Sequence, residues 1–148
     1  MSTYRQILYQ IVFSTKYRER TMIKQDRPQL FSYIAGVLKK KNCHLYRLNG
    51  VEDHLHIISD LHPSVALADL VKDIKLSSTS LIKENKILPG FDGWQDGYGA
   101  FTYHINAKNR LIEYVKNQEE QHRIKTYEKE FRELLKEHKI EFDEKFFL

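Results

Sequence analysis

The stretch Gly50-Val51-Glu52-Asp53-His54-Leu55-His56-Ile57-Ile58 is where the fold of this chain declares itself. From Asp53 to Ile58 the residues are mostly apolar and β-branched, Gly50 precedes them and Pro63 follows, so the run reads as a strand. Side chains alternate along a strand, which turns His54 and His56 to one face and Leu55 and Ile57 to the other. Two imidazoles side by side can supply two ligands of a facial metal site. A His-x-His pair on a strand is nonetheless more often packed or hydrogen-bonded than ligating, so the pattern alone leaves both readings open. Upstream, Cys43 to Leu48 reads as another strand, and Asn49-Gly50 between the two is a hairpin signal. The histidines therefore fall on the second arm of an antiparallel hairpin.

Working outward, Tyr4 to Ser14 reads as a strand with apolar residues on both faces: Ile7, Tyr9, Ile11 and Phe13 against Leu8 and Val12. That pattern suits a central strand. Lys16-Tyr17-Arg18-Glu19-Arg20 follows, a basic cluster with an aromatic that could grip a phosphate backbone or simply form a solvated loop. Asp26 and Pro28 signal a helix start, Leu30, Ile34, Val37 and Leu38 form its apolar stripe, and Lys39-Lys40-Lys41 suits its C-terminal dipole. Ser64 is expected to cap a long helix to about Asn85, buried through Leu67, Leu70, Val71, Ile74, Leu81 and Ile82, with Lys72, Lys75, Thr79 and Lys83 on the other side. Most such charged faces are only solvated. Leu88 to Gly99 reads as a glycine-rich loop whose Trp94 is expected to plug the core, and Ala100 to Ile105 reads as a fourth strand.

Asn106 is expected to cap a helix buried through Leu111, Ile112 and Val115, on which Tyr114 and Gln118 lie one turn apart. Tyr127, Phe131, Leu134 and Leu135 mark a last amphipathic helix, and the apolar tail Phe146-Phe147-Leu148 is expected to dock on the body or on a second subunit. The order β-α-β-β-α-β predicts an α+β fold: a ferredoxin-like, split βαβ antiparallel sheet with helices on one face plus C-terminal helices. Such a fold carries no function by itself.

Composition narrows the class. The chain has 148 residues, 41% hydrophobic and 30% charged, which fits one globular domain spanning 1–148. No apolar run approaches a membrane span, no signal-peptide core is evident, and the single Cys43 fits a reducing, cytoplasmic setting. A formal charge of +4 permits a polyanionic partner without demanding one.

Four motifs in order then bring a family into view: the opening strand with Lys16-Tyr17-Arg18, Asp53-His54-Leu55-His56, Trp94-Gln95-Asp96-Gly97-Tyr98-Gly99-Ala100-Phe101, and Tyr114-Val115-Lys116-Asn117-Gln118. Across nearly the whole chain, including the Glu-rich C-terminal helix and Ile140-Glu141-Phe142-Asp143, the sequence resembles the single-tyrosine HUH transposases, IS200-like enzymes that mobilise insertion sequences as single-stranded DNA. Where members often read Asn-Gln-x-x-His-His, this chain has Asn117-Gln118-Glu119-Glu120-Gln121-His122, with one histidine of the two, a departure expected to cost little chemistry.

The resemblance implies a tyrosine helix at about 106–122 and a C-terminal helix and tail at about 126–148. It implies that His54, His56 and Gln118 hold a divalent cation, Mg²⁺ or Mn²⁺, and that Tyr114 attacks the scissile phosphate to leave a 5′-phosphotyrosine and a free 3′-hydroxyl, with no nucleotide cofactor. It implies a homodimer with shared active sites, acting on single-stranded DNA with hairpins at the element ends. Lys16, Arg18, Arg20, Lys72 and Lys75 are the candidate DNA contacts. Two imidazoles and an amide bring no formal negative charge, so this trio is expected to hold Mg²⁺ weakly without a DNA phosphate, and Mn²⁺ better. The rival readings are a domesticated hairpin-processing nuclease of the same family, a non-catalytic single-stranded nucleic-acid-binding module, and a metal-dependent hydrolase that uses water.

Overall fold

A computed structural model describes residues 3–144. Its sheet has four antiparallel strands in the order β2-β3-β1-β4: β1 Tyr9–Ser14, β2 Leu45–Gly50, β3 His54–Ser59 and β4 Gly99–Thr102. Strand β1 is central, as its two apolar faces predict, and pairs Val12 with His56 and Ser14 with His54. The crossovers are α1 Arg27–Lys40 and α2 Leu67–Asn85, which completes the split βαβ arrangement.

The alternation of β1 and β3 sorts the two cores. Ile11, Phe13, Leu55 and Ile57 face α1 and α2 and are buried with Leu30, Ile34, Leu38, Leu70 and Ile74. The opposite face carries Leu8, Gln10, Val12, His54, His56 and Ile58. It is covered by α3 Lys108–Lys116, α4 Gln118–Ile124 and α5 Tyr127–Glu137, the C-terminal helices. Val12 packs with Tyr127, Phe131, Leu134 and Leu135 of α5, while Leu8 and Ile58 pack with Leu111 and Val115 of α3. Both histidines are thus sealed between sheet and helices.

Three local expectations are corrected. The hairpin turn is not Asn49-Gly50 but residues 51–53, since both lie in β2. The Asn49 amide donates instead to the carbonyls of Val115 and Lys116, at 3.0 Å each, and so caps the end of the tyrosine helix. Gly50 is required by close approach: a Cβ there would lie 2.5 Å from the His54 carbonyl oxygen. Ser64 does not cap α2, whose N-cap is Ala66; the Ser64 hydroxyl and amide are held by His62 Nδ1. Asn106 lies within a short 3₁₀ turn, Ile105–Ala107, and it is His104 whose ring caps that turn through Asn106 N. Trp94 is the core plug, edge-on to Phe13 and Phe91 at 5.0 Å, with Nε1 donating to Ser78 Oγ. The apolar tail Phe146-Phe147-Leu148 lies outside the described residues.

Candidate metal and nucleophile site

His54 and His56 stand on the helix-covered face of β3, both fully buried, with ring centroids 5.2 Å apart. Each is oriented through its Nδ1. Asp53 Oδ1 lies 2.7 Å from His54 Nδ1, a carboxylate partner that turns Nε2 inward. His56 Nδ1 lies 2.9 Å from the Gln10 amide, which Tyr103 holds by donating its hydroxyl to Gln10 Oε1. Histidines that serve metals are commonly steered in this manner by the groups behind them.

The two Nε2 atoms converge on Glu130 of α5, a carboxylate 1% exposed. Its Oε1 is 3.1 Å from His54 Nε2, 2.8 Å from His56 Nε2 and 3.2 Å from His122 Nε2 of α4. The Tyr114 hydroxyl donates to Glu130 Oε2, and Gln118 Nε2 donates to the same oxygen at 3.3 Å. Helix geometry explains the convergence. Asn49 ends α3 at Lys116, the backbone turns at Asn117, and Gln118 begins α4, so Tyr114 and Gln118 still point at one place although they no longer share a helix.

Electrostatics follow the geometry. Burial opposes the charge on His54, but the carboxylates of Asp53 and Glu130 prevail and raise its pKa. For His56 burial prevails and the ring is held below its ordinary value. Burial would raise Glu130, yet the imidazoles of His56, His122 and His54 hold it far below the usual carboxylate range. Burial and the Glu130 charge push the Tyr114 phenol well above its ordinary value. Asp53 is lowered: burial works against ionisation but the His54 hydrogen bond outweighs it.

These residues fit a cation. His54, His56, His122 and Glu130 each bring a ligand atom within 4.8 Å of the others. Two further buried atoms in the cluster lack hydrogen-bond partners: Gln118 Oε1, and His122 Nε2, which is close to Glu130 but outside hydrogen-bond geometry. A metal ligand needs a free lone pair, which such atoms offer. Of the clustered side chains, the sequence singles out His54, His56, Tyr114 and Gln118 but not His122 or Glu130. His122 reads as the remnant of a histidine pair, although its spacing of four from Gln118 is a usable signal. Glu130 reads as part of a Glu-rich helix; its signal is a carboxylate between Tyr127, Phe131 and Leu134, on the apolar side of that helix.

The candidate DNA contacts divide into two groups. Arg20 lines a cleft of about 720 Å³ that reaches Asp53, His122 and Tyr127, together with Lys24, Arg123 and Lys125. Arg18 lies 5.8 Å above the Tyr127 ring, and Tyr127 in turn lies against His54 at 4.4 Å, so the Lys16–Arg18 turn sits at the same end of the sheet. Lys72 and Lys75 are on α2, across the sheet, beside a cavity of about 380 Å³ next to Trp94 and Tyr98. The Lys75 ammonium donates to the carbonyls of Gln95 and Gly97, at 2.8 and 2.7 Å, and so ties the Trp94 loop down.

What fold and side chains define together is an α+β domain with a histidine–carboxylate cluster and a tyrosine on one face of a split βαβ sheet. The chain belongs to the IS200-like transposase family, whose model matches residues 3–118, and is thus a DNA transposase. It is 22% identical over 120 residues to the ISDra2 transposase TnpA of Deinococcus radiodurans, covering 76% of this chain and 84% of that protein. It is 23% identical over 121 residues to the transposase for insertion sequence element IS200 of Salmonella typhimurium, covering 78% and 79%. A solved transposase structure from Deinococcus radiodurans R1 shares the fold with a TM-score of 0.59, 22% identity and coverage of 80% of this chain and 95% of that one. The structure of a REP-associated tyrosine transposase bound to a REP hairpin shares it with a TM-score of 0.61, 16% identity and coverage of 82% and 74%. Among the described residues no helix is long and apolar enough to cross a membrane.

Proposed function

We propose that this transposase cleaves and rejoins single-stranded DNA at insertion-sequence ends, using Tyr114 as the nucleophile and His54, His56 and Gln118 as ligands of a divalent cation. The observation that carries the reading is the convergence of the Tyr114 hydroxyl, the Gln118 amide and both strand histidines on one buried point, from segments 58 to 64 residues apart in sequence for the tyrosine and amide against His56 and His54. Such convergence has no packing explanation, since burying four polar groups together gains nothing over an apolar filling of the same volume.

In the step itself the Tyr114 phenolic oxygen attacks the scissile phosphorus. The bond to the DNA 3′-oxygen breaks and that oxygen leaves as a hydroxyl, with the phenol's proton replaced into solvent or onto the leaving group. The 5′-phosphate stays on Tyr114, and a second 3′-hydroxyl reverses the chemistry to rejoin a strand. Bond energy is kept in the phosphotyrosine, so no nucleotide is consumed. Tyr114 is held protonated at neutral pH by burial and by Glu130, and Glu130 is too weak a base to ionise it alone. A bound divalent cation would supply the missing positive charge and polarise the phosphate. His54, His56 and Gln118 orient the site, and the layer of α3, α4 and α5 over the histidines restricts water, which disfavours simple hydrolysis.

The cleft carrying Arg20, Lys24, Arg123 and Lys125 reaches the edge of the cluster at Asp53, His122 and Tyr127 and suits a phosphate backbone. Arg20, Lys24 and Arg123 are met by Glu52, Glu119 and Glu120 at 3.0 to 3.4 Å, exposed pairs that phosphates can displace at little cost, and Lys125 by Glu133 at 2.7 Å. A fold relative was solved on a hairpin, which supports hairpin-bearing DNA as the substrate here. The test is mass spectrometry of the protein after reaction with single-stranded hairpin DNA and Mn²⁺. The expected result is a nucleotide adduct on Tyr114 that is absent in Tyr114→Phe. Cleavage by Tyr114→Phe at the wild-type rate would instead identify a hydrolase, and binding without any adduct a non-catalytic module.

A further inference from the structure

We infer that Glu130 and His122 complete the cation site, so that this chain holds a divalent cation of transition-metal type before any DNA is bound. The inference rests on the reading of His54 and His56 as ligands and adds to it. Two imidazoles and an amide are neutral, and a neutral set leaves a dication dependent on the substrate phosphate. Glu130 changes that balance, because it brings a full negative charge, 1% exposed, to the centre of the cluster.

The distances suit shared coordination. Ligand atoms about 2.1 Å from one ion and at right angles to each other lie about 3.0 Å apart. Glu130 Oε1 stands 2.8, 3.1 and 3.2 Å from the Nε2 atoms of His56, His54 and His122. The first two separations also serve as hydrogen bonds, but the third is an ion-pair contact outside hydrogen-bond geometry, so His122 Nε2 makes no hydrogen bond. Gln118 is fully buried and its Oε1 is likewise unpartnered. A buried ion-pair network would satisfy these atoms; a ligand set waiting on a cation leaves them open.

The position of Glu130 supports the same role. It lies on the apolar side of α5 between Tyr127 and Phe131 on one turn and Leu134 on the next, all buried, so no solvent requirement places a carboxylate there. Asp53 fixes the tautomer of His54 from behind. Three imidazoles and one carboxylate favour Mn²⁺, Co²⁺ or Zn²⁺ over Mg²⁺, which prefers oxygen donors and keeps its water.

The experiment is a Mn²⁺ titration of the full DNA-free chain, read by loss of the free-ion six-line electron paramagnetic resonance signal, with thermal melting of each variant to show that it is folded. The wild type is expected to bind one Mn²⁺ without DNA. Glu130→Gln is expected to weaken binding by about tenfold or more, His122→Ala to weaken it to a smaller degree, and Glu128→Gln on the solvent side of α5 to leave it unchanged. Should Glu130→Gln fail to fold, Glu130→Asp keeps the charge on a shorter arm and is expected to fall between the two. Wild-type protein that takes up Mn²⁺ only with DNA present overturns the inference. So does equal or tighter binding by Glu130→Gln, which would make the carboxylate a plug. If His54→Ala abolishes Mn²⁺ binding while Glu130→Gln does not, this inference alone fails; if neither affects it, the reading of the histidine pair fails too.

Discussion

At the scale of single residues, Asp53 shows how a side chain that never reaches the centre governs it. It holds His54 by one short hydrogen bond and is itself only partly exposed. Its pKa is lowered from 3.8 and that of His54 is raised from 6.5. A lowered carboxyl contributes stability that is present above its unfolded pKa and lost as pH falls through the folded one. A raised histidine contributes stability that is complete below its unfolded pKa and lost as pH rises through the folded one. The pair is therefore strongest between roughly pH 4 and 6.5, where both partners are charged. Asp53→Asn is expected to lower the urea midpoint of metal-free protein most within that window and less at pH 8; a loss independent of pH would show that packing, not charge, is responsible. The same variant is expected to weaken Mn²⁺ binding by about 10- to 100-fold, by freeing the ring it steers.

At the scale of elements, α5 is positioned by a close approach to β4. A Cβ on Gly99 would lie 2.8 Å from Phe131 Cε2, so Gly99→Ala must displace the ring next to Glu130. The expected cost is about 1–3 kcal/mol of stability, measured by denaturant unfolding, accompanied by weaker metal binding. A variant with full metal affinity would show that α5 can shift without moving Glu130. The turn after β1 offers another element-scale test. Tyr17 and Arg18 both have positive φ, 56° and 55°, and the Tyr17 amide is pinned by Gln95 Oε1. This conformation holds out a ring that is 74% exposed beside Lys16. Backbone held in this region by its surroundings is a feature of ligand-contacting segments, and an exposed ring suits base stacking. Tyr17→Ala is expected to cost about 1–3 kcal/mol in single-stranded DNA affinity by fluorescence anisotropy while leaving the melting temperature unchanged. Unaltered affinity would remove Tyr17 from the DNA path.

At the scale of the whole molecule, the question is which chain supplies the tyrosine. The family resemblance leads one to expect helices exchanged between two subunits. Here α3, α4 and α5 pack on their own sheet, and Tyr114 meets the histidines of the same chain through Glu130. Sites built within one chain predict that mixing His54→Ala with Tyr114→Phe protein restores no DNA cleavage. Recovery of activity in the mixture would show that the helices cross between subunits, with the bend at Asn117 as the place where they could part.

Periodicity was enough to place the strands, their alternating faces, the crossover helices and the side-by-side histidines, because each depends on neighbours within a few residues, whereas the turn and cap signals at Asn49, Ser64 and Asn106 failed. The motifs, taken in order, were enough to bring the family into view. Asn49 misled because a side chain that can close a turn can equally cap a helix 66 residues away, and only packing chooses between them. Glu130 and His122 show the same limit: local spacing marks them, but only packing brings them to the histidines. A carboxylate on a Glu-rich helix looks solvated until that helix docks with its apolar side on the sheet. Local sequence thus determined what each segment would be and which face it would bury. The fold alone decided which distant side chains share one buried point, since β3, α3, α4 and α5 are brought together only by packing on one face of the sheet.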